Sequence, residues 1–167
     1  MRIWVTADQH FGHANIIRMC GRPFRDVKEM DDEMVRVWNE NISQDDTVFH
    51  LGDFAFGRKR ANDLLSGLNG VKHLIKGNHD PKEDIAGWTS VQHYREVYVG
   101  DQKSAVLCHY AMEDWHGMLR GNVMLHGHSH GQLRKIKGRL DVGVDSVGFA
   151  PLALDQAVLL ATPSSSR

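Results

Sequence analysis

Apolar, strand-forming runs in this chain break off, one after another, at a carboxylate, an amide or an imidazole. Residues 2 to 7, Arg2-Ile3-Trp4-Val5-Thr6-Ala7, lead into Asp8-Gln9-His10-Phe11-Gly12; Thr47 to Leu51 stops at Gly52-Asp53; Val71 to Ile75 runs out into Lys76-Gly77-Asn78-His79-Asp80. Short β-branched and aromatic runs bounded by Gly, Asn and Asp read as strands. Helical patterns lie between them. His13 to Met19 suits a short helix, and Met30, Met34, Val37, Trp38 and Ile42 recur on one helical face. Arg58 to Leu68 forms a third helix, closed by Asn69-Gly70. Asp31, Asp32 and Glu33 are expected in the first turn of the second helix, where carboxylates favour the positive helix end, so they read as a helix start and not as a metal site. Strand, helix, strand in this rhythm predicts crossover units and a largely parallel sheet in the first half.

The second half changes character. Val91 to Val99 and Lys103 to Cys108 flank Gly100-Asp101-Gln102, a hairpin signal, and strand-like runs follow at Val123 to Leu125, Leu140 to Val144 and Gln156 to Leu160. Antiparallel pairs are expected here, with 163–167 as a frayed tail after a single domain over residues 1–162. At 167 residues the chain can bury about two thirds of its unfolded surface without staples.

A formal net charge of −1, with both signs mixed, excludes the strongly basic footprint of a dedicated nucleic-acid binder and leaves room for a small charged substrate. Cys20 and Cys108 match no zinc or redox spacing and read as reduced thiols. No leader is expected, and no apolar run approaches the roughly 20 residues of a membrane helix, so the expectation is a cytoplasmic protein with no membrane partner. The oligomeric state stays open.

The eleven histidines matter through their positions. Asp8, His10, Asp53, Asn78, His79, Asp80, His109, His128 and His130 all lie just past apolar runs. In an α/β sheet the loops at the carboxyl ends of strands converge on one crevice, so residues far apart in sequence meet there. His50 and His126 lie on the strands themselves and read as core or supporting histidines; His73 and His93 read as ordinary strand residues.

Asp8-x-His10, Gly52-Asp53, Gly77-Asn78-His79-Asp80, a lone His109 and Gly127-His128-Ser129-His130, in that order, resemble the motifs of the calcineurin-like metallophosphoesterase superfamily. The opening Asp8-Gln9-His10-Phe11-Gly12-His13 and the small size resemble its compact bacterial and phage members. The resemblance implies an α/β fold, a four-layer α/β/β/α sandwich of two mixed sheets flanked by helices. It implies two divalent transition-metal ions: Asp8, His10 and His130 on the first, Asn78, His109 and His128 on the second, and Asp53 bridging both. It also implies a metal-dependent phosphoesterase in which a hydroxide held between the ions attacks in line and His79 is the general acid. Imidazole donors favour transition metals over magnesium, manganese first, with iron, zinc and nickel also suited. Asp80 either orients His79 or stabilises the turn.

This sequence departs from the phosphoprotein phosphatase branch, because Phe54-Ala55-Phe56 follows Asp53 where that branch carries a phosphate-clamping arginine. A dianionic monoester gains more from such a clamp than a diester, so a phosphodiester is favoured. A phosphomonoesterase and a non-catalytic metal-binding scaffold are the alternatives. A larger nuclease's extra domain has no room here, although a short nucleotide fits the expected small phosphoester substrate. Arg22, Arg25, Arg58 and Lys59 are candidate substitutes for the clamp, and His13, Trp115 and His116 lie near motifs as candidate substrate contacts.

Overall fold

Ile3, Trp4, Val5 and Thr6, aromatic or β-branched throughout, form β1 (Ile3–Thr6), the strand against which the first sheet assembles. The computed structural model describes residues 1–82 and 86–162, so the tail expected at 163–167 lies outside the described residues. After β1 come α1 (Ala14–Cys20), α2 (Val27–Asn41), β2 (Thr47–His50), α3 (Arg58–Leu65), β3 (Val71–Ile75) and β4 (Ser90–Gln92). These are followed by β5 (Tyr94–Gly100), β6 (Lys103–Cys108), a 3₁₀ turn at Met118–Arg120, β7 (Val123–His126), β8 (Arg139–Asp141), α4 (Val144–Val147), β9 (Leu152–Ala153) and α5 (Leu154–Ala161).

The first sheet has the order β4-β3-β2-β1-β9, parallel except for β9. The second has the order β5-β6-β7-β8, in which only the β5/β6 hairpin is antiparallel. Among the described residues the antiparallel pairs expected in the second half are this hairpin and the pairing of β9 with β1. Long connections at 109–122 and 127–138 return the chain to the same end before each new strand, which makes β6, β7 and β8 parallel.

Three further expectations are corrected. The run Val91 to Val99 is two strands: β4 closes the first sheet, the chain crosses at exposed His93, and β5 opens the second. The run Gln156 to Leu160 is helical, and Leu154, Ala157 and Ala161 bury one face of α5; so short an apolar run does not distinguish the two periods. The run Leu140 to Val144 divides between β8 and α4.

The start of α2 also differs. Asp26 is the N-cap, its carboxylate accepting a hydrogen bond from the Glu29 N–H, so Asp31 falls in the second turn. There it is buried, accepts from the Gly12 N–H and pairs with Arg60, tying α2 to the loop after β1 and to α3.

Both faces of the first sheet are covered. Trp4 and Val48 face α1–α3 among Ile16, Met30, Met34, Trp38 and Leu65. Val5 and Phe49, one residue on, face the second sheet, meeting Ala105, Leu107, Val123 and Leu125, with α5 sealing the edge of this layer. On the outer face of the second sheet Val106 and Met124 are covered by Trp115, with Met112 and Met118 beside it, so the last layer there is a loop and a 3₁₀ turn. The structure is two mixed sheets with flanking helices, as expected.

Candidate metal centre

Every chemically active loop follows a strand at one end of this sandwich. Asp8 and His10 follow β1, Asp53 follows β2, Asn78 to Asp80 follow β3, His109 follows β6, and His128 and His130 follow β7. Backbone hydrogen bonds knit these loops: Asp8 N donates to Gly52 O, His10 N to Asp53 O, and Gly127 N to His109 O.

Among the described residues three groups of donor atoms lie close enough to hold an ion; two are built from these loops, and the third, Cys20, His130 and Asp145, shares His130 with the first. Asp8, His10 and His130 place ligand atoms within 4.8 Å of one another, and so do Asp53, His109 and His128. The Asp53 carboxylate lies between them, with Oδ2 3.6 Å from His10 Nε2 and 3.5 Å from His109 Nε2. Asn78 Oδ1 lies 3.1 Å from His109 Nε2, which adds the amide to the second group. All seven candidate ligand residues singled out in the sequence are therefore in one place.

The donors are held in ligand-ready form. His109 Nδ1 donates to Leu51 O at 2.7 Å and His130 Nδ1 donates to Asp145 at 2.7 Å, which leaves both Nε2 atoms as acceptors. His10 Nε2 is buried without a hydrogen-bond partner. Burial, and then the neighbouring His130 and Arg22, push the His10 imidazole down to about 2, so it is neutral. Burial and the carboxylates of Asp141 and Asp53 push Asp8 well above the usual carboxylate range. An orphaned imidazole nitrogen facing crowded carboxylates is the environment that a bound cation completes, and the mixed His/Asp/Asn donor set fits divalent transition metals.

The backbone pays its share in strain: among the described residues, Asp8, His10, Asp53, His128 and His130 are all non-glycine residues at positive φ. Glycines make room around them. Gly52 sits at φ 94°, and a Cβ there would lie 2.6 Å from both Gly77 N and His109 Nδ1; at Gly127 it would lie 2.5 Å from Asp8 Oδ2.

The other candidates separate cleanly. His79 is exposed, its backbone N–H donating to Asp53 Oδ1 at 2.8 Å and its ring 5.3 Å from that of His10. Asp80 is buried and accepts from Asp53 N, Phe54 N and Gly77 N at 2.8 to 3.0 Å. These are the contacts of the turn-stabilising alternative, which hold the loop under His79. His13 joins the site, its ring 5.6 Å from His10 and 6.5 Å from His79. Trp115 does not: it is buried in the outer core with Nε1 donating to Asn122 O. Exposed His116 is engaged by Glu96 and Arg120. Arg22 is no phosphate clamp, because its buried guanidinium binds Asp145 and the carbonyls of Asp8 and Gln9. Arg25 pairs with Asp26.

The supporting residues were only partly visible beforehand. His50, expected as a supporting histidine, is fully buried; its Nδ1 accepts from Gly52 N and its Nε2 meets Gln9 Oε1. Asp145 and Asp141 were missed. Asp141 accepts from Ser129 Oγ, Gly131 N and Gly143 N, bracing the loop that carries His128 and His130.

Fold and site together define an α/β protein with a histidine–carboxylate divalent-metal centre at its strand ends. Residues 1–148 match the calcineurin-like phosphoesterase superfamily domain, and the chain belongs to that superfamily of metal-dependent phosphoester hydrolases. It is 29% identical over 169 residues to uncharacterized protein MJ1445 of Methanocaldococcus jannaschii, covering 95% of this chain and 90% of that one. It is 28% identical to the gene 66 protein of a Mycobacterium phage, across 87% of each. In fold it is similar to protein AQ665 of Aquifex aeolicus, with a TM-score of 0.73 at 20% identity, covering 91% of this chain and 95% of that one.

Proposed function

We propose that the protein is a phosphodiesterase working with two divalent transition-metal ions, manganese first. Asp8, His10 and His130 hold one ion, Asn78, His109 and His128 the other, and Asp53 spans both. The observation that carries this reading is the position of Asp53, whose Oδ2 faces an imidazole nitrogen of each group at 3.6 and 3.5 Å. When bound, the ions supply Lewis acidity, a water of lowered pKa and a clamp for ester oxygens.

His79 protonates the leaving oxygen. It belongs to neither donor triad, yet the 2.8 Å hydrogen bond from its backbone N–H to Asp53 Oδ1 ties its loop to the centre. Asp80 holds the turn beneath it, so Asp80 positions and does not transfer. The diester preference draws its support from charge: Arg22 is consumed internally and Arg25 pairs with Asp26, so neither of these candidates serves as the guanidinium clamp that a dianionic monoester needs. The substrate is a small phosphoester, and the unpaired Cys20 and Cys108 suit the cytoplasm.

Hydrolysis of bis-p-nitrophenyl phosphate beside p-nitrophenyl phosphate, on chelator-stripped protein with and without manganese, tests the reading. Manganese should restore turnover, faster on the diester. Asp53→Ala should abolish it, while His79→Ala should keep bound metal and lose about a hundred- to ten-thousandfold in rate on esters with poor leaving groups. Monoester preference, or full turnover by both variants, overturns the assignment.

A further inference from the structure

Beside each donor triad stands an exposed aromatic ring. Phe56 is 60% exposed and stacks on His13, with centroids 4.9 Å apart and planes at 16°; His13 in turn lies beside His10 and His79. Tyr110 is 46% exposed and meets the ligands His109 and His128 edge-on at 5.0 and 4.9 Å. Single exposed aromatics are ordinary, and Tyr98 on the β5 hairpin is one. These two differ because each packs on a histidine of the rim: Phe56 on His13, and Tyr110 on His109 and His128. Phe56 N donates to Phe11 O at 2.8 Å, and the same loop pairs Ala55 with Phe11. Phe54, two residues earlier, is buried against Phe11, so the loop fills the core with one phenyl and presents the next outward.

Planar faces on fixed supports bind planar groups, and nucleobases stack on such faces without hydrogen-bond readout. A phosphodiester carries two ester substituents, and this centre has two platforms, one beside each triad. Arg58 and Lys59, two and three residues after Phe56 at the start of α3, are exposed. The net charge of −1 suits a short ligand, not a long tract.

We propose that Phe56 and Tyr110 are base-stacking platforms and that the substrate is a short single-stranded nucleotidyl phosphodiester with a base on either side of the cleaved phosphate. This rests on the diesterase reading.

The test is the fluorescence quenching, on mixing with manganese-loaded protein, of thymine–2-aminopurine dinucleotides carrying the fluorescent base on the 5′ or the 3′ side and joined by a slowly cleaved phosphorothioate. Wild type should quench both. Phe56→Ala should weaken binding about 5- to 100-fold and relieve quenching for one placement, and Tyr110→Ala should do so for the other. Phe56→Tyr and Tyr110→Phe should restore both, which separates lost stacking from misfolding. Quenching absent in wild type, or unchanged in both alanine variants, overturns the platforms. Bis-p-nitrophenyl phosphate is the control: if wild type fails to cleave it while quenching follows the pattern above, the platforms stand as a nucleotide-binding site and the diesterase reading falls alone.

Discussion

His130, a candidate metal ligand, depends for its orientation on residues outside the two triads of the rim. Its Nδ1 donates to Asp145, and Arg22 Nε and Nη2 donate to the two oxygens of the same carboxylate at 2.8 Å each. Arg22 continues to the carbonyls of Asp8 and Gln9, so one buried guanidinium joins the loops after β1 and before β8 to a single ion pair. Burial would raise the Asp145 carboxyl, but the hydrogen bonds from His130 and Arg22 outweigh it and hold the group below its usual range. Asp145→Asn removes the charge and frees the ring of His130. Manganese affinity, measured by isothermal titration calorimetry, should fall about 10- to 100-fold while the far-ultraviolet circular dichroism stays that of wild type. The candidate ligand His130 was legible because it sits in a motif beyond a strand. Asp145 and Arg22 were not, since residues 123 apart in sequence are paired by packing alone.

At the scale of elements, α2 carries the largest buried side chain of the helical layer. Trp38 is fully buried, and its Nε1 donates to Asn69 O, closing α2 over the turn before β3. Trp38→Ala opens a cavity and orphans that carbonyl, and urea denaturation should show a loss of about 3–5 kcal/mol. Asp46 ties the beginning of β1 to the turn before β2, accepting from Arg2 N, Trp4 Nε1 and Ser43 N. The backbone hydrogen bond from Arg2, followed by that from Ser43, lowers its pKa below the ordinary 3.8. A carboxyl depressed in the folded state stabilises the fold fully above the unfolded pKa, and that contribution is lost as pH falls through the folded one. The stability gap between wild type and Asp46→Asn should therefore be widest near neutrality and shrink below about pH 4 in urea titrations. A gap independent of pH would remove Asp46 from the acid response.

Across the whole molecule, two sheets bring their strand ends to one rim, and the rim is where the backbone is least relaxed. Five candidate ligand residues hold left-handed φ, each of a kind that costs about 1–3 kcal/mol. Ions that bind only the folded rim offset part of this. Manganese at about a hundredfold excess over its Kd should add about 2.7 kcal/mol, raising Tm by about 5–10 °C in a chain of this size. Scanning calorimetry of chelated and manganese-loaded protein measures it, and Asp53→Ala should lose most of the gain. A Tm indifferent to manganese would mean that the rim does not hold the ion.

The order of strands and helices through β3, and the residues that meet at the rim, were readable from the chain alone, because each candidate ligand lies within a few residues of the strand that aims it. Local pattern suffices where cause and effect are neighbours in sequence. Only the tertiary structure decided that the run after Val91 divides between two sheets, that the run after Gln156 coils, and that Asp80 is occupied by three backbone amides. It alone buried Trp115 away from the centre, enclosed Arg22 and left Phe56 and Tyr110 open. Those outcomes depend on which surfaces meet, and apolar content and spacing along a strand do not encode the partner across the core.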